Sequence, residues 1–182
     1  MTGFRSLALA LLASTAASAE KAWIFEPGQT LVSIEMGPAR ARISATSLNL
    51  SGKVLEQDDG GVQAEVHIAL ASFGTGKPAR DAQLRQSADA AQYPEIVFIG
   101  ATSKSPKDGV AQLDGTITLH GVTRRLVVPV SIVRARGMTY GHATLMLHLA
   151  DFGIAAPKGA TDEVRVDVDA GLRPEGALAS RG

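Results

Sequence analysis

Between Val164 and Ala170 the chain reads Val-Arg-Val-Asp-Val-Asp-Ala, and no helix can sort that segment into one apolar and one polar face. Only an extended strand does so, because its successive side chains leave opposite faces. The same code recurs in Val62, Ala64, Val66, Ile68 and Leu70 against Gln63, Glu65 and His67. It returns in Leu126, Val128, Val130 and Ile132 and in Ala143, Leu145, Leu147 and Leu149. Less regular runs at 23–26, 30–36, 39–48, 49–56, 95–104 and 110–119 complete roughly eight to ten strands. Turn chemistry separates them: Pro27-Gly28, Gly37-Pro38, Asp58-Asp59-Gly60-Gly61, Pro106-Lys107-Asp108-Gly109 and Gly137. The pattern predicts an all-β fold, an antiparallel meander closed into a barrel of about eight strands, because closure removes exposed edges. Arg and Asp on the polar faces, with aromatics at 4%, argue against a membrane barrel and its two aromatic girdles.

One segment breaks the rhythm. Residues 77–95, KPARDAQLRQSADAAQYPE, open with a proline suited to a first helical turn and continue with good helix formers. A single short helix is expected near 78–91, stopped by Pro94, with Leu84, Ala88 and Ala91 on its packing face. It is expected to lie over one barrel opening or against the wall.

The first nineteen residues, MTGFRSLALALLASTAASA, carry one early arginine, a short apolar run and a closing Ala-Ser-Ala. They read as a cleavable export signal, cut after Ala19, because the apolar run is far below the roughly 18 residues of a membrane span. The expected organisation is then a signal at 1–19, one domain over 20–173 and a disordered tail at 174–182. A periplasmic location follows as an expectation. The chain has no cysteine, so no disulfide staples the fold and burial of apolar surface must hold it. With 18 basic and 18 acidic residues, loss of Arg5 with the signal leaves one net negative charge. Cations are interspersed with acids, and no basic stripe with stacking aromatics points to nucleic acid.

Catalytic equipment is not legible. There is no G-x-S-x-G elbow and no cysteine nucleophile. Asp58-Asp59 sits in a Gly-rich turn, where turn formation explains it better than paired-carboxylate chemistry. His67, His120, His142 and His148 share no i, i+2 or i, i+4 spacing that would bring two ligands to one metal. His67 and His148 fall opposite the apolar faces and are expected in solvent. Gly74-Thr75-Gly76-Lys77 lacks the first glycine of a phosphate loop. His120-Gly121, between two alternating runs, reads as a hairpin corner in which the imidazole bonds backbone across the corner. No catalytic residue, cofactor or metal is assigned.

Four separated stretches carry a resemblance. Ser72-Phe73-Gly74-Thr75-Gly76 precedes Arg80-Asp81 and Leu84, then come Tyr93-Pro94-Glu95-Ile96-Val97-Phe98 and Gly115-Thr116-Ile117-Thr118-Leu119-His120-Gly121-Val122-Thr123. Asp151-Phe152-Gly153-Ile154 before Asp162-Glu163-Val164 completes the order, which resembles the YceI-like family. The resemblance implies a lipocalin-like barrel, export, and an internal tunnel holding a polyisoprenoid or related amphiphile. The chain departs from the family pattern in three places. It reads Ile34-Glu35-Met36-Gly37 and Gln83 where a histidine is usual, and Ala88-Asp89-Ala90-Ala91 where an aromatic-rich segment is usual.

The leading expectation is a non-enzymatic carrier or store for an isoprenoid lipid, either a polyprenyl phosphate or an isoprenoid quinone. Val66, Ile68, Phe98, Ile117, Leu119, Val128, Val130, Leu145, Leu147, Val166 and Val168 would line the tunnel, although the same residues would equally fill a solid core. Arg80, with Arg85, Arg124 and Arg125 behind it, is the candidate for a head group at the mouth, since guanidinium suits phosphate oxygens. The alternative is a periplasmic accessory module of a membrane redox or stress system, recognised by its outer face and making transient contact with a membrane surface or membrane protein.

Overall fold

The structure, a computed structural model, describes residues 20–157 and 160–176; the expected signal and residues 177–182 of the expected tail lie outside them. The strands are β1 Glu20–Met36, β2 Ile43–Ser47, β3 Leu50–Gln57, β4 Val62–Ala69, β5 Glu95–Thr102, β6 Val110–Leu119, β7 Val122–Ala135, β8 Met138–His148 and β9 Glu163–Pro174. Helix α1, Pro78–Ser87, lies between β4 and β5. All neighbours pair antiparallel, and β9 returns to β1 to close the wall. Along β1, the partner runs from Gln57 opposite Glu20 to Ile43 opposite Met36, so β2 and β3 fill one wall position in succession. The result is the expected closed barrel of eight positions.

Turn chemistry sets the register of the later hairpins. Asp108-Gly109, His120-Gly121 and Arg136-Gly137 each put two consecutive residues at positive φ, at 51° and 76°, 53° and 72°, and 53° and 76°. That is the type I′ requirement, whose twist matches the flanking strands. Gly121 has a second duty, because a Cβ there would stand 2.6 Å from Tyr93 Cε1.

Several boundaries differ from expectation: β7 and β8 start earlier than their alternating runs, at Val122 and Met138, and β9 runs on to Pro174, the first residue of the expected tail. Three more differences have a local cause. Residues 23–26 and 30–36 are one strand, because both halves pair with β9; Pro27-Gly28 makes a bulge between Phe25 and Thr30. Residues 39–41 form a 3-10 turn, so β2 begins only at Ile43. The helix stops at Ser87, well before Pro94. Asp89 takes φ 45° there, while its N–H bonds Gln86 O and the Ala90 N–H bonds Arg85 O. Those two bonds form a Schellman stop, and they leave Ala91 exposed instead of packed.

Much of the buried core gathers at the helix end. Phe73, Leu119, Leu149, Phe152 and Ile154 are buried there, with Leu84 of α1 and Ala88 just after it packed against them. The family-like stretches converge on this lock: the Tyr93 ring meets His120 edge-on at 4.9 Å, and Leu70 N–H bonds Pro94 O at 2.8 Å.

Candidate lipid-binding lumen

Alternation along β3 to β9 turns one apolar face of every strand inward, and that face encloses hollows instead of a solid core. The central hollow, about 170 Å³, is lined only by apolar side chains and glycine. Ten of the expected residues line it: Val66, Ile68, Phe98, Ile117, Val128, Val130, Leu145, Leu147, Val166 and Val168. Leu119 lines a second hollow of about 90 Å³ beneath α1, which shares Ile34, Phe73, Ile96, Leu147 and Val166 with the first. A third, also about 90 Å³, lies toward the opposite end and shares Val54, Ala64, Leu113, Val130, Gly141 and Leu172 with the central one. Each is below the roughly 300–1,000 Å³ of a pocket for a compact ligand, so the arrangement suits a thin chain threaded through all three. Half-buried Val66, Phe98, Leu145, Leu147 and Val168 keep accessible surface inside, while Ile68, Ile117 and Val128 are closed off. Phe98 lies flat against the wall because Gly100 has no Cβ, which would stand 2.4 Å from the ring.

A wider depression of about 740 Å³ lies outside the wall, where β2 passes into β3, with Thr46, Leu48, Asn49 and Ser51 on it. It is shallower and more polar. Phe25 and Leu50 stand between it and the lumen.

The arginines fall otherwise than expected. Arg80 lines none of the three hollows; Arg85, one turn further along α1, lines the one beneath the helix. Asp81 of the same motif ties the Gly74-Thr75-Gly76 loop to α1, accepting from Thr75 N–H at 2.8 Å and from the Thr75 hydroxyl at 2.5 Å. Those bonds, helped by the Arg85 and Arg80 charges, hold its carboxyl below the usual range. Arg125 forms a two-pronged pair with Asp114 on the outer wall, at 3.0 and 2.7 Å, and exposed Arg124 bonds Thr123 O.

Every histidine has a partner. His120 Nδ1 lies 2.9 Å from Phe152 O, so its bond reaches a segment 32 residues away instead of crossing its own corner. His67 bridges Glu65 and Glu95, His142 meets Asp169 at 2.8 Å, and His148 meets Asp162 at 3.4 Å. Among the described residues no group of three or more His, Cys, Asp or Glu is placed to hold a metal.

Sequence reasoning missed the polar end. Trp23, Glu56, Arg134 and Thr139 line the third hollow. The signal was present: continuing each strand's inward parity outward leads from Val54 to Glu56, from Ile132 to Arg134 and from Gly141 to Thr139.

A sequence model of the YceI-like domain matches residues 23–172. A UPF0312 protein of Pseudomonas syringae pv. syringae is 30% identical over 111 residues, which are 57% of this chain and 58% of that relative. The chain thus spans little more than half the length of the curated relatives it matches. Burkholderia cenocepacia BcnA superposes with a TM-score of 0.73 at 18% identity, covering 81% of this chain and 98% of that one. A polyisoprenoid binding domain from Saccharophagus degradans superposes at 0.68 with 15% identity, covering 84% and 98%.

Proposed function

The chain belongs to the YceI-like domain family, and from that premise we propose that it is an exported lipid-binding protein that holds an isoprenoid chain in its lumen. The observation that carries the reading is the row of three adjacent hollows that share lining residues, whose central member presents no polar side chain. An isoprenoid tail is the ligand that such a passage suits. It is thin, long and apolar, and each buried methylene contributes about 0.8 kcal/mol before ordering costs. The polyisoprenoid binding domain of Saccharophagus degradans, which shares the fold, supports the same class of ligand here. The protein acts in the periplasm, carrying, storing or sequestering a polyprenyl phosphate or isoprenoid quinone without turning it over.

The test is mass spectrometry of organic extracts of the protein purified from the periplasm of its own host. A stoichiometric prenyl lipid is expected. Empty protein in repeated preparations, with no saturable uptake of prenyl quinones or polyprenyl phosphates, overturns the reading, and absence from the periplasmic fraction overturns the location.

A further inference from the structure

At the barrel end away from α1, Trp23, Glu56, Arg134 and Thr139 gather around a hollow otherwise lined largely by apolar side chains. Trp23 Nε1 donates to Glu56 Oε2 at 3.1 Å, and Arg134 Nη2 donates to Glu56 Oε1. Arg134 and Thr139 are direct partners across β7 and β8. The Thr139 hydroxyl is shut off from solvent and has no hydrogen-bond partner among the described residues. Two other buried atoms lack a well-directed hydrogen bond, Glu26 Oε2 and Arg173 Nε, but they lie 2.5 Å apart and satisfy one another as an ion pair. Thr139 has no such relief. A buried hydroxyl left unbonded in an apolar hollow lowers stability, so its presence calls for a bonding partner that arrives from outside.

The geometry points to a head-group site at this mouth, taking an uncharged carbonyl or ring hydroxyl at the end of an isoprenoid tail; this rests on the isoprenoid-binding reading. An oxygen placed in the hollow receives the Thr139 O–H and a remaining N–H of Arg134, whose planar fork has donors beyond those facing Glu56. A pyrophosphate is disfavoured. The Glu56 carboxylate lines the hollow and already neutralises Arg134, and Lys21 is turned onto the Trp23 ring, 4.2 Å from its centroid. The exposed Arg134 side chain brings this end to water, and its four polar or amphipathic side chains set it apart from the apolar central hollow. The head therefore stays at the polar mouth and the tail runs through the central hollow toward α1.

Trp23 is the chain's one tryptophan, so its fluorescence reports on this mouth alone. The experiment titrates the protein with a prenylated benzoquinone, with squalene as a chain without a head group, and with a polyprenyl phosphate, while gel filtration records binding. Saturable quenching of Trp23 by the quinone is expected. Squalene should bind without quenching and restore the emission as it displaces the quinone. Thr139→Val, which keeps the shape and removes the donor, should weaken quinone binding about three- to tenfold and leave squalene unaffected. A quinone that co-elutes with the protein without quenching Trp23 overturns the head placement, as does equal weakening of both ligands in the variant. Tighter binding of the polyprenyl phosphate than of the quinone overturns the uncharged head. If neither squalene, quinone nor phosphate binds, the isoprenoid reading itself fails.

Discussion

His120 commits its imidazole to the backbone carbonyl of a buried phenylalanine. Phe152 is 2% exposed, and the bond from the His120 ring joins the β6–β7 corner to the segment that plugs the helix end. Removing the ring takes that hydrogen bond from the carbonyl of a buried residue. His120→Ala should therefore destabilise the fold by about 1–3 kcal/mol in urea unfolding, and any loss of lipid uptake should follow the loss of folded protein. His67 makes the opposite kind of contribution, confined to the surface. Hydrogen bonds to Glu65 and Glu95 raise its pKa above 6.5, so its stabilisation is fully present below pH 6.5 and fades as the pH rises through the raised value. His67→Gln should cost about 0.2–1 kcal/mol on the acid side and less on the alkaline side. Unfolding midpoints on both sides of neutrality check this, and a difference that grows toward alkaline pH would contradict it. At this scale the sequence shows four histidines with no i, i+2 or i, i+4 spacing among them. It did not show their partners, because Phe152 lies 32 residues from His120 and Glu95 lies 28 from His67, separations that only the fold closes.

Elements were legible where alternation was strict. β4 and β6 begin and end within a residue of the runs that predict them, because one buried face forbids register slips; β8 and β9 contain theirs but run further, β8 starting at Met138 ahead of Ala143 and β9 ending at Pro174 beyond Ala170. Boundaries failed where local conformation overrode composition. Pro27-Gly28 reads as a turn, yet both flanks of it hydrogen-bond to β9, and Gly171 makes room for the bulge where a Cβ would stand 2.6 Å from the Gln29 Cβ. The end of α1 was hidden because it depends on Asp89 adopting positive φ, which composition does not announce. Glycines inside strands are informative in the same way. Gly100 lets the Phe98 ring lie against β5, and its cross-strand partner Gly115 could not carry a Cβ, which would stand 2.2 Å from Ile99 O. Gly100→Val should force the Phe98 ring off the wall and into the central hollow. The expected outcome is at least a tenfold loss of prenyl-lipid uptake, measured by titration, with circular dichroism still showing the β-sheet fold; unchanged uptake would mean that the ring position does not limit the passage.

At the scale of the whole molecule the question is why the barrel is left hollow. An apolar void of about 170 Å³, at about 24 cal/mol per Å³, leaves about 4 kcal/mol unrealised relative to a filled interior, a large share of the 5–15 kcal/mol typical of a folded domain. The inward parity of the strands was readable from the sequence, and so were the residues of the lumen. Whether they met across the axis was not, because a packed core and a tunnel use the same alternation and differ only in how far apart closed strands hold opposite walls. The mouth was unreadable for another reason: Glu56, Arg134 and Thr139 sit at strand ends, where polar residues ordinarily face water. Ala143 separates the two uses of the interior. It lies on the inner face of β8 between Val130 and Val168 and lines the central hollow. Ala143→Phe puts a ring into the void. If the void is a ligand passage, this variant should keep or raise its melting temperature, since the ring fills empty space, and lose at least tenfold in affinity for prenyl ligands. Gln112→Phe, the same change at an exposed position on the outer wall, should alter neither. An Ala143→Phe protein that binds prenyl lipid as tightly as the parent would move the ligand out of the lumen altogether, and a fall in melting temperature would show that the void relaxes in solution to a smaller space than the ring needs.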